Sequence, residues 1–260
     1  MDYKPMQDKI AVVTGGAGGI GKAISIKLAM TGARVIILSR NEEKGQKAVE
    51  EIASKGGEAV FHRTDLSIDS DIDQAVKWIL DHFKRADILV NNAAISGYMG
   101  PVVETPIEEV ERVMKVNMIS VFYLSKLLLP LMIENRFGRI INISSIAYRK
   151  NTPNSASYNM SKAALNTFTS TLSKEVASHG ITVNAVAPGL VLTDRILQSR
   201  LPGMAKELGV SPEEMMEKLT AGTDTGHLTK EEDVAELVMF LASSASQNIT
   251  GEIINVSGGL

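Results

Sequence analysis

Short apolar runs alternate with amphipathic stretches along most of the chain. The apolar runs are rich in Val and Ile, which is typical of parallel strands buried on both faces. They predict strands at Ile10–Thr14, Arg34–Leu38, Ala59–Arg63, Asp87–Val90, Arg139–Ser144, Ile181–Val186 and Glu252–Val256. Apolar residues at helical spacing predict helices near Gly18–Thr31, Glu42–Lys55, Ser70–Phe83, Ile107–Glu134, Ser155–Ser178 and Lys230–Ser244. Strict alternation of this kind predicts an α/β fold, a doubly wound, seven-stranded parallel sheet in a three-layer sandwich.

The alternation lapses once, between residues 192 and 228, in a stretch interrupted by glycine and proline. A long insertion after a strand is typical of a substrate lid, and a decorative helix pair is the alternative. The Met204–Met216 stretch fits either an adaptable apolar pocket or packing inside the lid. Four basic residues in the insertion would steer an anionic substrate or only aid solubility: Arg195, Arg200, Lys206 and Lys218. Without linkers or repeats, we expect one domain, 1–260, with a lid at about 192–228.

Composition excludes several classes of protein. The chain has 260 residues, 44% of them hydrophobic, a formal net charge of −3 and no cysteine. Disulfides, thiolate catalysis and cysteine metal sites are therefore excluded, and the four scattered histidines lack metal-ligand spacing, so we expect no metal. The dispersed charges argue against nucleic-acid or membrane partners. Because residues 1–9 lack the apolar core of a signal peptide and no apolar run approaches a membrane span, we expect a cytoplasmic protein.

A glycine-rich loop joins the first predicted strand to the first predicted helix, from Thr14 to Gly21. Glycines let a phosphate approach a helix N-terminus, where free N–H groups and the helix dipole hold the anion. A tight turn that binds nothing has the same composition. The position of the loop, between a strand and a helix at the start of a βαβ unit, favours nucleotide binding.

The end of the second strand carries Ser39 and Arg40 where NAD-binding folds place a carboxylate on the ribose. No acidic group stands there to repel a 2′-phosphate, and Arg40 would form charge-assisted hydrogen bonds to one. Alternatively, Arg40 is a solvated residue that pairs with Glu43. The pattern favours NADP(H), with NAD(H) as the alternative.

Tyr158 and Lys162 are four residues apart in a predicted helix and therefore share one face. A nearby ammonium stabilises a phenolate and lowers the pKa of the tyrosine, which then exchanges protons at working pH. A nearby serine hydroxyl would hold the substrate oxygen as charge develops. An exposed Tyr–Lys pair with no catalytic role is the alternative.

Together these features resemble the short-chain dehydrogenases/reductases in their single-domain Rossmann form, most nearly the 3-oxoacyl-reductase branch. The resemblance covers essentially the whole chain, and its motifs follow the family's order. They are Thr14-Gly15-x-x-x-Gly19-x-Gly21, Asp65-Leu66, Asn91-Asn92-Ala93-Ala94, Asn117, Ser145, Tyr158-x-x-x-Lys162, Pro188-Gly189 and Asn255-Val256-Ser257-Gly258-Gly259.

The resemblance implies a catalytic tetrad. Tyr158 would be the acid/base, and Lys162 would lower its pKa and bind the nicotinamide ribose. Ser145, rather than Ser144, would polarise the substrate carbonyl because it has the expected spacing from Tyr158. Asn117 would lie in a kinked helix and hold a water that relays protons from Lys162.

The resemblance also implies two sets of ligand contacts. Cofactor contacts would come from Gly15, Gly19, Ile20, Gly21, Ser39, Arg40, Asp65, Leu66, Asn91, Ala93, Tyr158, Lys162, Pro188, Gly189, Val191 and Thr193. Substrate contacts would come from Ser145, Ala147, Tyr148 and Tyr158, within walls that include Ser96, Tyr98 and Leu192. Gly18 stands where many NADP-preferring members have a basic residue, so Arg40 would hold the 2′-phosphate largely alone.

The expected activity is hydride transfer between NADP(H) and a small carbonyl or secondary alcohol. An NAD-dependent alcohol, polyol or sugar dehydrogenase, an isomerase or dehydratase that uses the bound cofactor, and a non-catalytic dinucleotide sensor are the alternatives. The helices at Ile107–Glu134 and Ser155–Ser178 carry apolar faces, which include Leu124, Leu128 and Phe168. In the family such helices form a homotetramer or homodimer; packing on their own sheet is the alternative.

Overall fold

The computed structural model describes residues 4–194 and 196–260. Within them, seven strands form one parallel sheet in the order β3-β2-β1-β4-β5-β6-β7. The strands are β1 Ile10–Thr14, β2 Arg34–Ser39, β3 Glu58–Arg63, β4 Ile88–Asn91, β5 Gly138–Ile143, β6 Ile181–Pro188 and β7 Ile253–Val256. The strand order reverses between β1 and β4, and ligands bind at such a switch point in doubly wound sheets. The predicted fold class is confirmed.

The helices cover both faces of the sheet. They are α1 Gly19–Met30, α2 Glu42–Ser54, α3 Asp69–Phe83, α4 Ile107–Met114, α5 Ser120–Glu134, α6 Ala147–Lys150, α7 Ala156–Val176, α8 Leu201–Leu208, α9 Pro212–Ala221 and α10 Glu231–Ala242. One apolar core joins α1, α2 and α10 to the sheet, and the other joins α3, α5 and α7 to the opposite face. Apolar side chains thus fill both spaces between the three layers, which is the physical basis of the sandwich.

The helix predicted at Ile107–Glu134 is divided by a π-helical turn at Lys115–Ile119, between α4 and α5. By length and composition alone, these 28 residues would cross a membrane. Leu124, Leu128 and Met132 are nevertheless buried in the core beneath the sheet. We therefore interpret this segment as a core helix of the sandwich.

The apolar residues expected to form a subunit interface mostly pack on their own sheet. Leu124 and Leu128 are fully buried there, and Phe168 packs against the same core. The outward faces of these helices carry other apolar side chains, because Phe122 is 50% exposed and Met160 is 49% exposed. For Leu124, Leu128 and Phe168, packing on their own sheet is therefore the interpretation that the structure supports.

The insertion between residues 192 and 228 has a small core of its own. It contains a π-helical turn at Ile196–Arg200, followed by α8 and α9, none of which the sequence pattern placed. Leu201, Ala205 and Met215 are buried together, with Met204 and Met216 packed around them. Of the two interpretations of the methionines, internal packing is therefore the one observed. Of its four basic residues, Arg195 lies outside the described residues, and Arg200, Lys206 and Lys218 are exposed.

Candidate active site and dinucleotide cleft

The glycine loop follows β1 and requires glycine at specific positions. Gly15 and Gly19 have φ of +65° and +55°, which disfavours any residue with a side chain. A Cβ on Gly21 would lie 2.3 Å from the carbonyl oxygen of Gly15, so no larger residue fits without moving the turn. The backbone conformation, not only the composition, therefore matches a loop built for close approach to a ligand.

The N-terminus of α1 is open to an anion. Its N-cap, Gly18, forms no side-chain capping bond, and the first turn contains no acidic residue. A Cβ built on Gly18 would meet no atom within 4 Å, so open space lies before the helix. The first N–H groups of a helix have no intrahelical partners, and their dipole favours negative charge. This end of α1 fits the diphosphate of a dinucleotide.

Thr14 and Asn92 fasten the glycine loop to the end of β4. The Thr14 hydroxyl accepts hydrogen bonds from the backbone N–H groups of Asn92, at 2.9 Å, and Ala93, at 3.1 Å. The Asn92 side chain in turn donates to the Thr14 carbonyl oxygen at 2.9 Å. Both residues belong to motifs in the sequence, but we predicted no role for either. Their contact follows from the position of β1 and β4 as parallel neighbours at the switch point.

Asn91 and Ala93 differ in their orientation. The Asn91 side chain is buried and donates from Nδ2 to Oδ1 of Asn142 at 2.9 Å, between β4 and β5. Its own Oδ1 has no hydrogen-bond partner among the described residues. Ala93 lies against the glycine loop, since a Cβ on Gly15 would be 3.3 Å from its methyl group. Ala93 therefore faces the cleft, whereas the Asn91 side chain faces the sheet interior.

At the carboxyl end of β2, Arg40 is exposed and faces Asp65 rather than Glu43. Arg40 Nη1 lies 3.9 Å from Asp65 Oδ2. Glu43 instead pairs with Lys47 at 2.7 Å, so the alternative pairing considered from the sequence is wrong. Burial opposes ionisation of Asp65, but hydrogen bonds from Ser67 and the charges of Arg40 and Arg63 hold its pKa below the usual value. The neighbouring Leu66 is buried.

Tyr158 and Lys162 lie on α7 above the end of β5. Lys162 is only 2% exposed, and its Nζ donates to the Ile143 carbonyl oxygen at 2.8 Å. The same Nζ is 5.7 Å from the centre of the Tyr158 ring. Burial lowers the pKa of Lys162 to about 8. The alternative of an exposed pair on a helix surface is wrong for this lysine.

The π-helical turn between α4 and α5 carries Asn117, which is buried. Its side chain forms two hydrogen bonds of 2.9 Å with the backbone of Ile95, one to the N–H and one to the carbonyl. Nδ2 also donates to Ser161 Oγ on α7 at 3.1 Å. Asn117 thereby connects the loop after β4 to the helix that carries Tyr158 and Lys162. The π-helical turn thus interrupts the long helix at Asn117, where the resemblance implied a kink.

Ser144 and Ser145 follow β5 and have different surroundings. Ser145 is half-buried, and its Oγ accepts a hydrogen bond from the N–H of Ala147 at 3.2 Å. Ser144 is buried, and its Oγ has no partner within the described part of the chain. The more accessible hydroxyl belongs to Ser145. Ala147 and Tyr148, in the short helix α6 that follows, are also half-buried.

The opposite wall begins where β6 ends, at Pro188. The N–H of Gly189 donates to the carbonyl oxygen of Val256 at 2.8 Å. A Cβ on Gly189 would be 3.0 Å from the backbone of Ser257. Val191 forms an isolated parallel bridge with Thr229. The side chain of Thr193 comes within 3.7 Å of the Cβ position of Gly19. The chain after β6 therefore passes directly over the glycine loop.

One carboxylate at this junction was not expected from the sequence. Glu231, the first residue of α10, has an Oε1 that is 3.8 Å from the Cβ position of Gly19. Burial raises its pKa, and the charges of Glu232 and Asp194 act in the same direction. In the part of the chain described here, no group of three or more potential metal-ligating side chains occurs.

Comparisons with known proteins agree with this geometry. A family model described as enoyl-(acyl carrier protein) reductase matches residues 15–260. The chain is 38% identical to an uncharacterized oxidoreductase of Thermotoga maritima, over 97% of each sequence. It is also 38% identical to a 3-oxoacyl-(acyl-carrier-protein) reductase of Haemophilus influenzae, over 98% of this chain and 99% of the relative.

Two solved structures are similar over nearly their whole length. One is an actinorhodin polyketide ketoreductase with NADPH, at 33% identity, a TM-score of 0.92 and 97% coverage of both chains. The other is an NAD⁺-bound xylitol dehydrogenase, at 29% identity and a TM-score of 0.91, over 98% of this chain and 100% of that one. The chain belongs to the short-chain dehydrogenase/reductase family and is an NAD(P)-dependent oxidoreductase.

Proposed function

We propose that this protein is an NADP(H)-dependent ketoreductase that reduces a 3-oxoacyl thioester or a related ketone to a secondary alcohol. The observation that carries the proposal is the position of Lys162. Its buried ammonium lies one helical turn beyond Tyr158, at the carboxyl end of β5, the strand that pairs with β4. A cation fixed in this way serves a neighbouring phenol whose proton must move at neutral pH.

The cleft residues fit a nicotinamide dinucleotide. The open N-terminus of α1 would hold the diphosphate, while Ser39, Arg40, Asp65 and Leu66 would hold the adenosine end. Pro188, Gly189, Val191 and Thr193 would form the wall at the nicotinamide end. When bound, the cofactor supplies or accepts the hydride of the reaction.

The four polar residues of the site have distinct roles in this proposal. The Tyr158 phenol gives its proton to the substrate oxygen in reduction and takes it back in oxidation. The ammonium of Lys162 stabilises the phenolate that remains. The Ser145 hydroxyl donates a hydrogen bond to the same substrate oxygen as negative charge develops. Asn117 holds the loop after β4 against α7 and positions water for proton exchange with Lys162.

The substrate class rests on the relatives. Several, at 33–38% identity over nearly the whole chain, carry the name 3-oxoacyl-(acyl-carrier-protein) reductase. The structurally similar ketoreductase was solved with NADPH. A second candidate, an NAD-dependent polyol or sugar dehydrogenase, is favoured by the similarity to the NAD⁺-bound xylitol dehydrogenase. The presence of all four tetrad residues argues against a non-catalytic sensor, and no described residue of the cleft specifically favours isomerisation or dehydration.

We further propose that the protein is a cytoplasmic homotetramer or homodimer that acts on small molecules. The supporting observation is the outward apolar surface of α5 and α7. Phe122 is 50% exposed and lies with its ring centre 5.5 Å from that of Phe168 on the neighbouring helix. Burying such a surface against a second copy would remove these rings from water.

The test of the proposed function is a titration with NADPH and NADH, followed by assays with acetoacetyl-coenzyme A and with xylitol. We expect tighter binding of NADPH and reduction of the thioester. Tyr158→Phe should abolish turnover and leave the dissociation constant for NADPH largely unchanged, because the phenol acts mainly on the substrate. Retained turnover in this variant would contradict the mechanism, and faster turnover of xylitol with NAD⁺ would favour the second candidate.

A further inference from the structure

A second arginine lies beside Arg40 at the adenosine end of the cleft. Strands β2 and β3 are parallel neighbours, and Arg63 at the end of β3 is the register partner of Ser39 at the end of β2. The backbone pairing continues one residue further, because the N–H of Thr64 donates to the Ser39 carbonyl oxygen at 3.0 Å. Side chains of register partners point to the same face of a sheet. Arg63 and Ser39 are therefore adjacent on one face.

Neither arginine is engaged in a close ion pair. Arg40 Nη1 is 3.9 Å from Asp65 Oδ2, and Arg63 Nη1 is 3.9 Å from Asp71 Oδ2. These distances exceed that of a charge-assisted hydrogen bond, and the two side chains are 67% and 61% exposed. Their N–H groups therefore remain available to a ligand.

The two guanidinium groups act on the same small region. The charges of both Arg40 and Arg63 lower the pKa of Asp65. Asp65 and Asp71 are themselves linked, because the N–H of Asp65 donates to Asp71 Oδ2 at 3.0 Å. The two acidic residues are thus connected, and each has one arginine at 3.9 Å: Arg40 beside Asp65 and Arg63 beside Asp71.

A phosphate monoester carries close to two negative charges at neutral pH and three acceptor oxygens, more than one guanidinium neutralises. Guanidinium groups match such a group through paired N–H donors. We propose that Arg63 is a second ligand of the adenosine 2′-phosphate and, together with Arg40, sets the preference for NADP(H). This inference rests on the proposed dinucleotide function, and it replaces the expectation that Arg40 holds the phosphate largely alone.

The experiment compares binding of NADPH, NADH and adenosine 2′,5′-bisphosphate to the wild-type chain and to Arg63→Ala, Arg63→Lys and Arg40→Ala. Arg34→Ala is the matched control, because Arg34 lies at the opposite end of β2 and pairs with Glu58 at 2.7 Å. We expect Arg63→Ala to weaken NADPH and the bisphosphate by about 10- to 100-fold and to leave NADH within about twofold, as for loss of a charged hydrogen bond. Arg63→Lys should restore part of the loss.

Two results would overturn the inference. In one, Arg63→Ala binds NADPH as the wild type does while Arg40→Ala weakens it. In the other, Arg63→Ala weakens NADPH and NADH equally, which indicates a role in the fold alone. Failure of the wild-type chain to bind either dinucleotide is a separate result, because it removes the proposed function itself.

Discussion

The ammonium of Lys162 donates to the carbonyl oxygen of Ile143 at 2.8 Å, at the point where β5 ends. Among the described residues, no carboxylate forms an ion pair with this ammonium, and burial alone lowers its pKa to about 8. A cation buried without an anion opposes folding. The site therefore holds a group that lowers stability, and in the proposed mechanism this group serves the chemistry of Tyr158.

Lys162→Met should raise the stability of the ligand-free chain at pH 7 while removing activity. The lowering of the lysine pKa from 10.5 to about 8 corresponds to about 3 kcal/mol. Leaving the Ile143 carbonyl oxygen unpaired offsets about 1–2 kcal/mol of that gain. Urea unfolding of the two proteins measures the difference.

The pH dependence of this difference has a definite sign. Between about pH 8 and 10.5 the folded wild-type chain binds fewer protons than the unfolded chain, so its stability rises with pH through that window. The advantage of the methionine variant should therefore shrink above pH 8. Lys126→Met, which changes an exposed lysine on α5, is the control and should show no such trend. An advantage for Lys162→Met that stays constant to pH 10 would contradict the assignment.

Gly18→Arg should strengthen binding of NADPH and leave binding of NADH nearly unchanged. Position 18 has extended backbone with φ of −166°, and a Cβ there meets no atom within 4 Å, so a side chain can leave the backbone without a clash. The added guanidinium would reach a 2′-phosphate near Ser39 and Arg40, for a gain of about tenfold. Gly18→Ala separates the charge from the loss of glycine. Equal effects on the two dinucleotides would place the phosphate elsewhere.

Thr14→Val should weaken both dinucleotides to the same extent. The substitution preserves shape but leaves the N–H groups of Asn92 and Ala93 without their acceptor. We expect a loss of about 1–3 kcal/mol in the free energy of unfolding and a looser glycine loop. Denaturant unfolding and dinucleotide titration measure the two effects. Thr167→Val, at an exposed position on α7, is the control. Selective loss of NADPH alone would be inconsistent with a role in the loop.

Binding of NADH, which has no 2′-phosphate to titrate, should weaken as pH rises through the titration of Glu231. Burial, together with Glu232 and Asp194, raises the pKa of this carboxyl, which faces the glycine loop. Its ionised form would repel a bound diphosphate, whereas the protonated form would not. The dissociation constant for NADH should therefore increase with pH for the wild type and stay level for Glu231→Gln. Glu232→Gln should move this profile to lower pH, because the charge of Glu232 helps to raise the pKa of Glu231. A level wild-type profile would exclude this role for Glu231.

The sequence predicted the regular elements well because burial on both faces produces continuous apolar strands. The predicted bounds of β1 are those observed, and β6 is longer by two residues at its end, as far as Pro188. The π-helical turn at Lys115–Ile119 was not located in detail because it interrupts no apolar spacing. The helices α8 and α9 of the insertion were missed because they are short and separated by Gly209.

The site was predictable where it depended on spacing along one element and not where it depended on register between elements. Tyr158 and Lys162 lie one turn apart in any helix, so their proximity follows from the sequence. The pairing of Arg63 with Ser39 requires the alignment of β2 with β3, which local pattern does not specify. The position of Glu231 over Gly19 likewise depends on how α10 docks beside the loop.

The hydrogen bonds that join Thr14 to Asn92 and Ala93 close loops of 78 and 79 residues. Closing a long loop costs more entropy than closing a short one, so such contacts form late, after the local helices. The cleft therefore does not exist in any partly folded chain in which β1 and β4 are apart. Dinucleotide present during refolding should act only on the completed sheet, slowing unfolding far more than it accelerates folding.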